Sequence, residues 1–369
     1  MGFNKRIHMK PFTIFVLLPS FANGGAEKVT LSLVQNFNYN IFNCYLVIQN
    51  SDGPLKSQFK SKNIINLNSS RFRYSVFDLI TKIYKKKPKV IFSTFPHITI
   101  FLLLIKKILF LDIILIAREP NMPSVSLANS PYSFIIRNLY NIFMPSIDGV
   151  IASSLVMKNE LVEKGISKNK ISIISNPISI EEVRNFKKTI RHKGNGVRLV
   201  YVGRLVYQKG LDRLLPFIKH VPNLHLIIIG EGKEKKHLKK IIKENNIANN
   251  IEFLGHVDMP YPYIAGADYL VLPSRWEGFP NVVLESLALG TPVITMKEIV
   301  GLQDLKSNIQ DKSLILFEEV EEIVNFLLNT ESRKDFLKPI IRPVLLKDYN
   351  TPVSYSKNVS NFISKIINE

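Results

Sequence analysis

The chain is long enough for two domains, and its composition excludes a disordered protein. It has 369 residues, of which 46% are apolar and 10% are aromatic, and these can fill two hydrophobic cores. Its one cysteine, Cys44, excludes an internal disulfide and a cysteine-based zinc site, and it fits a reducing compartment.

The positive charge is concentrated in the first half of the chain. The net charge is +19; residues 1–190 hold 25 Lys and Arg against 10 Asp and Glu (+15), whereas residues 191–369 hold 24 against 20 (+4). A surface of this kind attracts nucleic acid, anionic lipid or acidic ligands. The alternative is a lysine-rich composition without any such partner.

Short apolar runs alternate with amphipathic stretches from the start of the chain. Thr13–Leu18 predicts a strand buried on both faces, and apolar residues at helical spacing predict a helix over Ala26–Phe37. Further strands are predicted at Cys44–Ile48, Val90–Ser93, Ile113–Ala117, Gly149–Ala152 and Ile171–Ile174. Alternation of strands and helices predicts a parallel sheet covered on both sides.

Two apolar stretches resemble targeting or membrane segments only superficially. Met9–Ser20 is interrupted by Pro11 and Pro19, so we expect no secretory signal there. Ile98–Ala117 is long enough to span a bilayer, but it contains Lys106, Lys107 and Asp112 near its middle, and each such charge costs about 2.5–3.5 kcal/mol at a helix centre. We therefore expect a helix, a break and a strand.

A second alternating run follows the polar stretch 190–196, where we place the interdomain linker. Its strands are predicted at Arg198–Val202, Leu224–Ile229, Ile251–Leu254, Tyr269–Leu272 and Pro292–Thr295. We thus expect two doubly wound α/β domains, over 1–190 and 191–345, and a C-terminal helix over 346–369 that packs back toward the N-terminal domain. Ligands of such sheets bind beyond the carboxyl ends of the strands.

The strongest chemical signal is the stretch 273–294, PSRWEGFPNVVLESLALGTPVI, which predicts a strand end, a loop, a helix and a second strand. Pro280 suits the start of the helix, Val282–Leu289 would form it, and Gly290 would end it. The backbone N–H groups around Phe279–Val282 would then form a helix N-terminus, which is a ready site for phosphate.

Two glutamates belong to this stretch. Glu285 lies one turn into the helix among apolar residues, and a buried carboxylate there needs partners, which ribose hydroxyls would supply. Glu277 precedes the helix and could hold sugar hydroxyls. The alternative is a solvated Glu277 and a Glu285 paired with a local Lys or Arg.

Glu277 and Glu285 enclose seven residues, and the whole stretch resembles the E-x7-E donor signature of retaining GT-B glycosyltransferases of family 4. The resemblance implies the GT-B fold, with two Rossmann-like domains facing across a cleft. By analogy, Glu285 binds the nucleotide ribose and Glu277 binds the transferred sugar. The residues between them would bind sugar and phosphate: Gly278, Phe279, Pro280, Asn281 and Val282.

A second block supports the resemblance. Gly203, Arg204 and Lys209 follow a predicted strand, and two cations at that place can clamp a diphosphate. The block is similar to the family's G-R-x4-K element, whose Arg and Lys hold the departing nucleoside diphosphate. The alternative is a pair of surface cations.

Two weaker blocks also have counterparts in the family. Gly24 and Gly25 follow the first strand and let a loop approach a ligand closely; the family has a Gly-Gly loop against the donor phosphates and acceptor, although Gly-Gly is also an ordinary turn. His256 follows the strand Ile251–Leu254, where the family binds the nucleotide base, but a structural histidine is as good an interpretation.

The N-terminal domain departs from the family pattern at one place. Many members carry a histidine after the strand that corresponds to Ile113–Ala117, whereas this chain has Arg118 and Glu119 there. Either residue takes that place, or His97 reaches the site from another strand.

The expected activity is that of a retaining hexosyltransferase that uses a nucleotide diphosphate sugar, a UDP-sugar, as co-substrate. Arg204, Lys209 and Glu277 form the expected catalytic set, because the departing diphosphate gathers negative charge. No metal and no other cofactor is expected, and the sequence has no Asp-x-Asp motif. The alternatives are a GT-B relative, such as a nucleotide-sugar epimerase or phosphorylase, and a nucleic-acid-binding protein, which no recognised motif supports.

The acceptor implied by the resemblance is a glycan or lipid-linked glycan of a capsule, O-antigen or lipopolysaccharide. The basic first half, with its dense group Lys82, Lys85, Lys86, Lys87 and Lys89, predicts contact with anionic lipids. We therefore expect a cytoplasmic protein held peripherally on the inner membrane and bound to no nucleic acid. The rival is a soluble acceptor and an incidentally basic protein.

Overall fold

The chain folds into two compact units. A computed structural model describes residues 11–57, 59, 63–69, 74–129, 133–190, 196–299, 301–307, 313–330 and 349–369. The first unit holds the chain up to Pro177 together with Pro352–Glu369, and the second unit is Ile178–Thr351. Each unit is built on its own parallel sheet.

The division between the units falls before the stretch in which we placed the linker. Ile178 and Val183 are buried in the core of the second unit, and the Ile178 N–H donates to the Asn350 carbonyl oxygen at 2.8 Å. These contacts tie the segment after Pro177 to the second unit. Residues 191–195 of the expected linker lie outside the described residues.

The elements follow one another in the alternating order that the sequence predicts. The first unit begins with β1 (Phe12–Leu18), α1 (Gly25–Gln35), β2 (Phe42–Ile48), β3 (Ile64–Asn66), α2 (Val76–Lys86), β4 (Val90–Ser93), α3 (Pro96–Ile108), β5 (Ile114–Arg118), α4 (Pro123–Ala128), α5 (Ser133–Phe143), β6 (Gly149–Ala152), α6 (Leu155–Glu163) and β7 (Ile171–Ile173).

The second unit continues with α7 (Ile180–Arg184), β8 (Arg198–Val202), α8 (Leu211–Ile218), β9 (His225–Ile229), α9 (Lys235–Glu244), β10 (Ile251–Gly255), α10 (Tyr261–Gly266), β11 (Tyr269–Leu272), α11 (Asn281–Ala288), β12 (Val293–Met296), α12 (Gly301–Ser307), β13 (Leu314–Phe317) and α13 (Val320–Leu328). The last helix, α14 (Pro352–Asn368), packs against α1 and β5 of the first unit.

Both sheets are doubly wound. The strand order is β3-β2-β1-β4-β5-β6-β7 in the first sheet and β10-β9-β8-β11-β12-β13 in the second. The described pairings are parallel in both sheets. The prediction of two Rossmann-like α/β domains is therefore confirmed.

The first sheet has a core on each face, because successive residues of a strand point to opposite sides. In β1, Ile14, Val16 and Leu18 contact the core shared with α1 and α14. Phe15 and Leu17 contact the core shared with α2, α3, α5 and α6. This explains why the first strand reads as a continuous apolar run.

The apolar stretch 98–117 does not form one helix. It contains most of α3, which ends at Ile108, and β5, which begins at Ile114. The predicted helix, break and strand are confirmed. Within the described residues, every helix is too short or too polar to cross a bilayer.

Candidate donor site

In the second sheet, the order in which strands are added reverses between β8 and β11, which lie side by side at its centre. β9 and β10 lie on the β8 side of the sheet, and β12 and β13 lie on the β11 side. In such sheets the crevice at this switch point is where ligands bind. The loops that leave the carboxyl ends of β8 and β11 hold residues 203–210 and 273–280, and both carry predicted donor-site residues.

The two loops are joined by a buried ion pair. Lys209 ends a single 3-10 turn, Tyr207–Lys209, and its Nζ contacts Glu277 Oε1. The Ser274 hydroxyl donates to the same carboxylate oxygen at 2.9 Å. The Lys209 and Glu277 side chains are only 14% and 8% exposed. Glu277 is therefore not solvated, and a cation and a carboxylate meet at the switch point.

The helix predicted after this loop forms as α11. It begins at Asn281, and its N-cap residue is Pro280, whose side chain cannot accept a hydrogen bond from the first turn. Phe279 is buried beside it. The helix therefore starts within the stretch Phe279–Val282, where the sequence predicts a phosphate site; the phosphate site itself stays a prediction.

Glu285 is only partly buried, whereas the sequence led us to expect a buried carboxylate. The outward side of α11 carries Asn281, Val282 and Glu285, all of them partly exposed, because only its other side packs on the sheet. Burial raises the pKa of the Tyr261 hydroxyl, and the nearby carboxylates of Glu285 and Glu182 raise it further. Glu285 thus lies close to α10 and α7, both of which pack against α11.

Arg204 and Gly203 form the turn that leaves β8. The Gly203 N–H donates to the Ile229 carbonyl at 3.0 Å, and the Tyr201 hydroxyl donates to the Arg204 carbonyl at 2.9 Å. The Arg204 side chain itself is exposed. A Cβ atom at Gly203 would lie 2.9 Å from the Tyr201 hydroxyl, so a side chain there would disturb the turn that precedes Lys209.

His256 lies on the surface at the end of β10, after Gly255, whose φ is +71°. Its Nε2 atom is 3.1 Å from Asp258 Oδ1. Two strands separate it from β11, since the order is β10-β9-β8-β11.

Three candidate residues of the first unit, Gly24, Gly25 and His97, follow β1 and β4, the two strands at the switch point of the first sheet. Gly24 is the N-cap residue of α1 and Gly25 its first residue. His97 is exposed in the first turn of α3, after β4. The buried hydroxyls of Thr30 and Thr94, 2.9 Å apart, connect α1 to the end of β4. The Gly-Gly loop and His97 therefore follow neighbouring strands.

Arg118 and Glu119 are buried, with 3% and 1% of their surfaces exposed. Arg118 Nη2 donates to Asn176 Oδ1 at 2.6 Å, and the Tyr140 hydroxyl donates to Glu119 Oε1 at 2.9 Å. Burial raises the pKa of Glu119 to about 7, although the Tyr140 hydrogen bond and the Arg118 charge act in the opposite direction. Both side chains thus lie inside the first unit rather than on its surface.

The sequence did not predict the side chains that connect the loop after β8 to the loop after β11. They are Tyr207, Asp212, Arg213 and Arg275, and they connect the loop after β8 and the start of α8 to the loop after β11. The only signal in the sequence was the presence of opposite charges in the two segments, which does not show that they meet.

Two family profiles match adjoining parts of the chain. The profile for glycosyltransferase family 4 matches residues 23–182, and the profile for glycosyl transferases group 1 matches residues 182–338. Together they extend over both units.

Individual glycosyltransferases are also similar to this chain in sequence. An uncharacterized glycosyltransferase of Methanocaldococcus jannaschii is 31% identical over 207 residues, 52% of this chain and 51% of that protein, so the chain spans about half of that relative's length. The N-acetylgalactosamine-N,N'-diacetylbacillosaminyl-diphospho-undecaprenol 4-alpha-N-acetylgalactosaminyltransferase of Campylobacter jejuni is 26% identical over 80% of this chain and 83% of that protein.

A solved structure shows the same fold. The Anabaena protein HepE, crystallised with UDP-glucose, superimposes with a TM-score of 0.75 at 16% identity, over 96% of this chain and 99% of that one. The profile matches and the solved structure agree: the chain is similar in sequence to glycosyltransferase family 4 and to glycosyl transferases group 1, and its two units have the GT-B fold.

Proposed function

We propose that the chain transfers a sugar from a nucleotide diphosphate sugar to a glycan or lipid-linked glycan, with retention of anomeric configuration. The observation that carries the proposal is the meeting of Lys209 and Glu277 at the switch point, beside the start of α11. The Anabaena protein of the same fold binds UDP-glucose, which makes UDP-sugars the first donors to test.

In this proposal the second unit holds the donor. The diphosphate lies between the start of α11 and the cations Lys209 and Arg204, which stabilise the charge that develops as the bond to the anomeric carbon breaks. Glu277 accepts hydrogen bonds from the transferred sugar, and Glu285 accepts them from the ribose. The arrangement assigns no step to a metal ion.

A panel of nucleotide sugars tests the donor site. A bound donor must raise the melting temperature, because it binds the folded state only. The stabilising donor is then incubated with acceptor glycans, and the anomeric configuration of the product is read by NMR. An inverted product, or an absolute need for a divalent cation after chelation, would contradict the mechanism; a free sugar or an epimerised donor without transfer would contradict the function.

We further propose that the acceptor is presented at the anionic inner leaflet of a membrane. The substrate named for the Campylobacter relative carries diphospho-undecaprenol. In the first unit, α2, α3 and α5 pack on the same face of the sheet, and large apolar side chains stand out from this side or just beyond α3: Phe77, Leu104, Ile108, Phe110, Phe134, Ile135, Leu139 and Ile142. We name this set the apolar face.

The apolar face is accompanied by basic residues. The group Lys82–Lys89 lies in and after α2, and Lys106 and Lys107 lie in the last turn of α3. Lys106 is partly neutralised by Asp148 at 2.6 Å. Apolar side chains beside cations are typical of interfacial membrane binding, and each basic residue near an anionic surface contributes about 1 kcal/mol.

Vesicle sedimentation separates the two contributions. Neutralising Lys85, Lys86 and Lys87 should abolish most binding to anionic vesicles at low salt, because salt screens that contribution. Phe134→Ser with Ile142→Ser should remove the binding that persists at high salt, whereas Met259→Ser, an exposed apolar residue of the second unit, should change nothing. No binding to either kind of vesicle would favour a soluble acceptor, and equal binding to neutral and anionic vesicles would contradict the role of the anionic leaflet.

A further inference from the structure

Arg275, in the loop after β11, contacts the loop after β8 through both its backbone and its side chain. The Arg275 backbone N–H donates to the Gln208 carbonyl at 2.8 Å, and its Nη1 donates to the Tyr207 carbonyl at 2.7 Å. Its guanidinium also lies 3.8 Å from the centre of the Tyr207 ring. Arg275 is two residues from Glu277, and Tyr207 is two residues from Lys209, so these contacts join the two segments that carry the ion pair.

The guanidinium is itself fixed by α8. Nη1 and Nη2 of Arg275 donate to the two carboxylate oxygens of Asp212 at 2.7 and 2.6 Å. Asp212 lies in the first turn of α8. A two-pronged Arg–carboxylate pair sets orientation as well as distance, which a single ammonium group cannot do.

The neighbouring residues tighten the same junction. Arg213 donates to the carbonyl oxygens of Pro273 and Ser274 at 2.9 and 2.8 Å. Gly210 has a φ of +68°, and a Cβ atom there would lie 2.0 Å from the Pro273 carbonyl oxygen. The backbone of the loop after β11 is therefore seated directly on the start of α8.

We propose that Arg275, oriented by Asp212, is a positioning residue for sugar transfer, which holds Glu277 in register with Lys209 while the donor is bound. The inference rests on the proposed function. In the free protein the Lys209–Glu277 pair itself joins the loops, but a donor diphosphate draws Lys209 toward phosphate and weakens this link. The Arg275–Asp212 pair involves neither residue, so it keeps the loops together when the ion pair is shared with the substrate.

A tryptophan in the loop after β11 can report on the contacts between the two loops. Trp276 is the single tryptophan of the sequence, and it lies between Arg275 and Glu277. Its ring centre is 6.2 Å from that of Tyr207, and its carbonyl accepts from Gln208 Nε2 at 2.9 Å. Tryptophan fluorescence and its quenching by acrylamide therefore report on this loop, with or without enzymatic activity.

The test compares Arg275→Gln and Asp212→Asn with Lys297→Met, which breaks an exposed ion pair with Glu318 in the same unit. Both test variants should make Trp276 more accessible to acrylamide with UDP bound. They should lower kcat by about tenfold to a hundredfold, because small displacements of reacting groups slow the chemical step. They should change the donor KM by less than about threefold, because the contacts that bind the donor equally in the ground state and the transition state are retained. The control should match the unmodified protein in every measurement.

The outcomes separate this inference from the function on which it rests. Unchanged Trp276 quenching in both test variants, or a kcat within twofold of the unmodified protein, would overturn the positioning role. A loss confined to donor affinity would also overturn it, because Arg275 would then act as a binding residue. If the unmodified protein binds UDP but transfers no sugar, the proposed function fails, and the quenching with UDP alone decides whether Arg275 orders the loop.

Discussion

Replacing Lys209 by Met should affect stability and catalysis in ways that a second substitution can separate. The variant leaves Glu277 buried with Ser274 as its described hydrogen-bond donor. Removing one partner of a buried pair costs about 3–5 kcal/mol, and the partial exposure of Lys209 favours the lower end. For a unit of this size, about 3 kcal/mol corresponds to a fall in melting temperature of roughly 6–12 °C.

The double variant Lys209→Met, Glu277→Gln should regain most of that stability. It leaves no unpaired charge, and the amide oxygen introduced by the second substitution can still accept from Ser274. Thermal unfolding followed by tryptophan fluorescence measures the second unit directly, because Trp276 lies within it. Activity should not return: both variants should lose about 10²–10³ in kcat, since a donor to the developing charge is missing.

Two results would refute this reasoning. A Lys209→Met protein with an unchanged melting temperature would show that the ion pair does not exist in solution. A double variant that regains kcat together with stability would show that Lys209 matters only as the partner of Glu277 and does not act on the leaving diphosphate.

Three further predictions follow from the same structure. Glu285→Gln should weaken UDP binding by about 1.5–3 kcal/mol, as measured by calorimetry, and unchanged affinity in a folded variant would remove Glu285 from the site. Burial raises the pKa of the Cys44 thiol to about 12, so Cys44 should react with a disulfide reagent at pH 8 only after unfolding; rapid reaction of the native protein would contradict its burial. Burial raises the pKa of Glu119 from 4.5 to about 7; the folded state then binds more protons than the unfolded state between these values, so stability should fall as pH rises through that window. Glu119→Gln should flatten that part of the melting-temperature profile, and an unaltered slope would rule the carboxyl out as its cause.

The central strands could be predicted from sequence because each is a continuous apolar run between turn residues. Val90–Ser93 and Arg198–Val202 begin and end where the pattern predicts. The edge strands β3 and β13 were missed. They hold three and four residues and pair with β2 and β12. β3 is too short to show a pattern, whereas β13 is itself an apolar run, LILF, from which a strand could have been predicted.

The sequence also named Lys209 and Glu277 as candidate donor-site residues, but it did not indicate which side chains they contact. Lys209 and Glu277 are 68 residues apart in the chain, and they meet only because β8 and β11 are neighbours in the sheet. Nothing local in either segment indicates this pairing. The same holds for Asp212 and Arg275, whose contact depends on how α8 is seated under the loop after β11.

Under the proposed function, the ion pair keeps the charge of Lys209 paired before the donor binds. A cation held ready for a diphosphate would be costly to bury alone, whereas Lys209 is neutralised by Glu277 in the free protein. In this proposal, donor binding would exchange this carboxylate for phosphate oxygens and leave Glu277 to accept hydrogen bonds from the hydroxyls of the transferred sugar. The two exchanges compensate each other only when phosphate and sugar arrive on one molecule, so a free nucleoside diphosphate leaves Glu277 without its new partners. We therefore expect the site to bind the intact donor more tightly than its nucleoside diphosphate product, through the same two residues that join its loops.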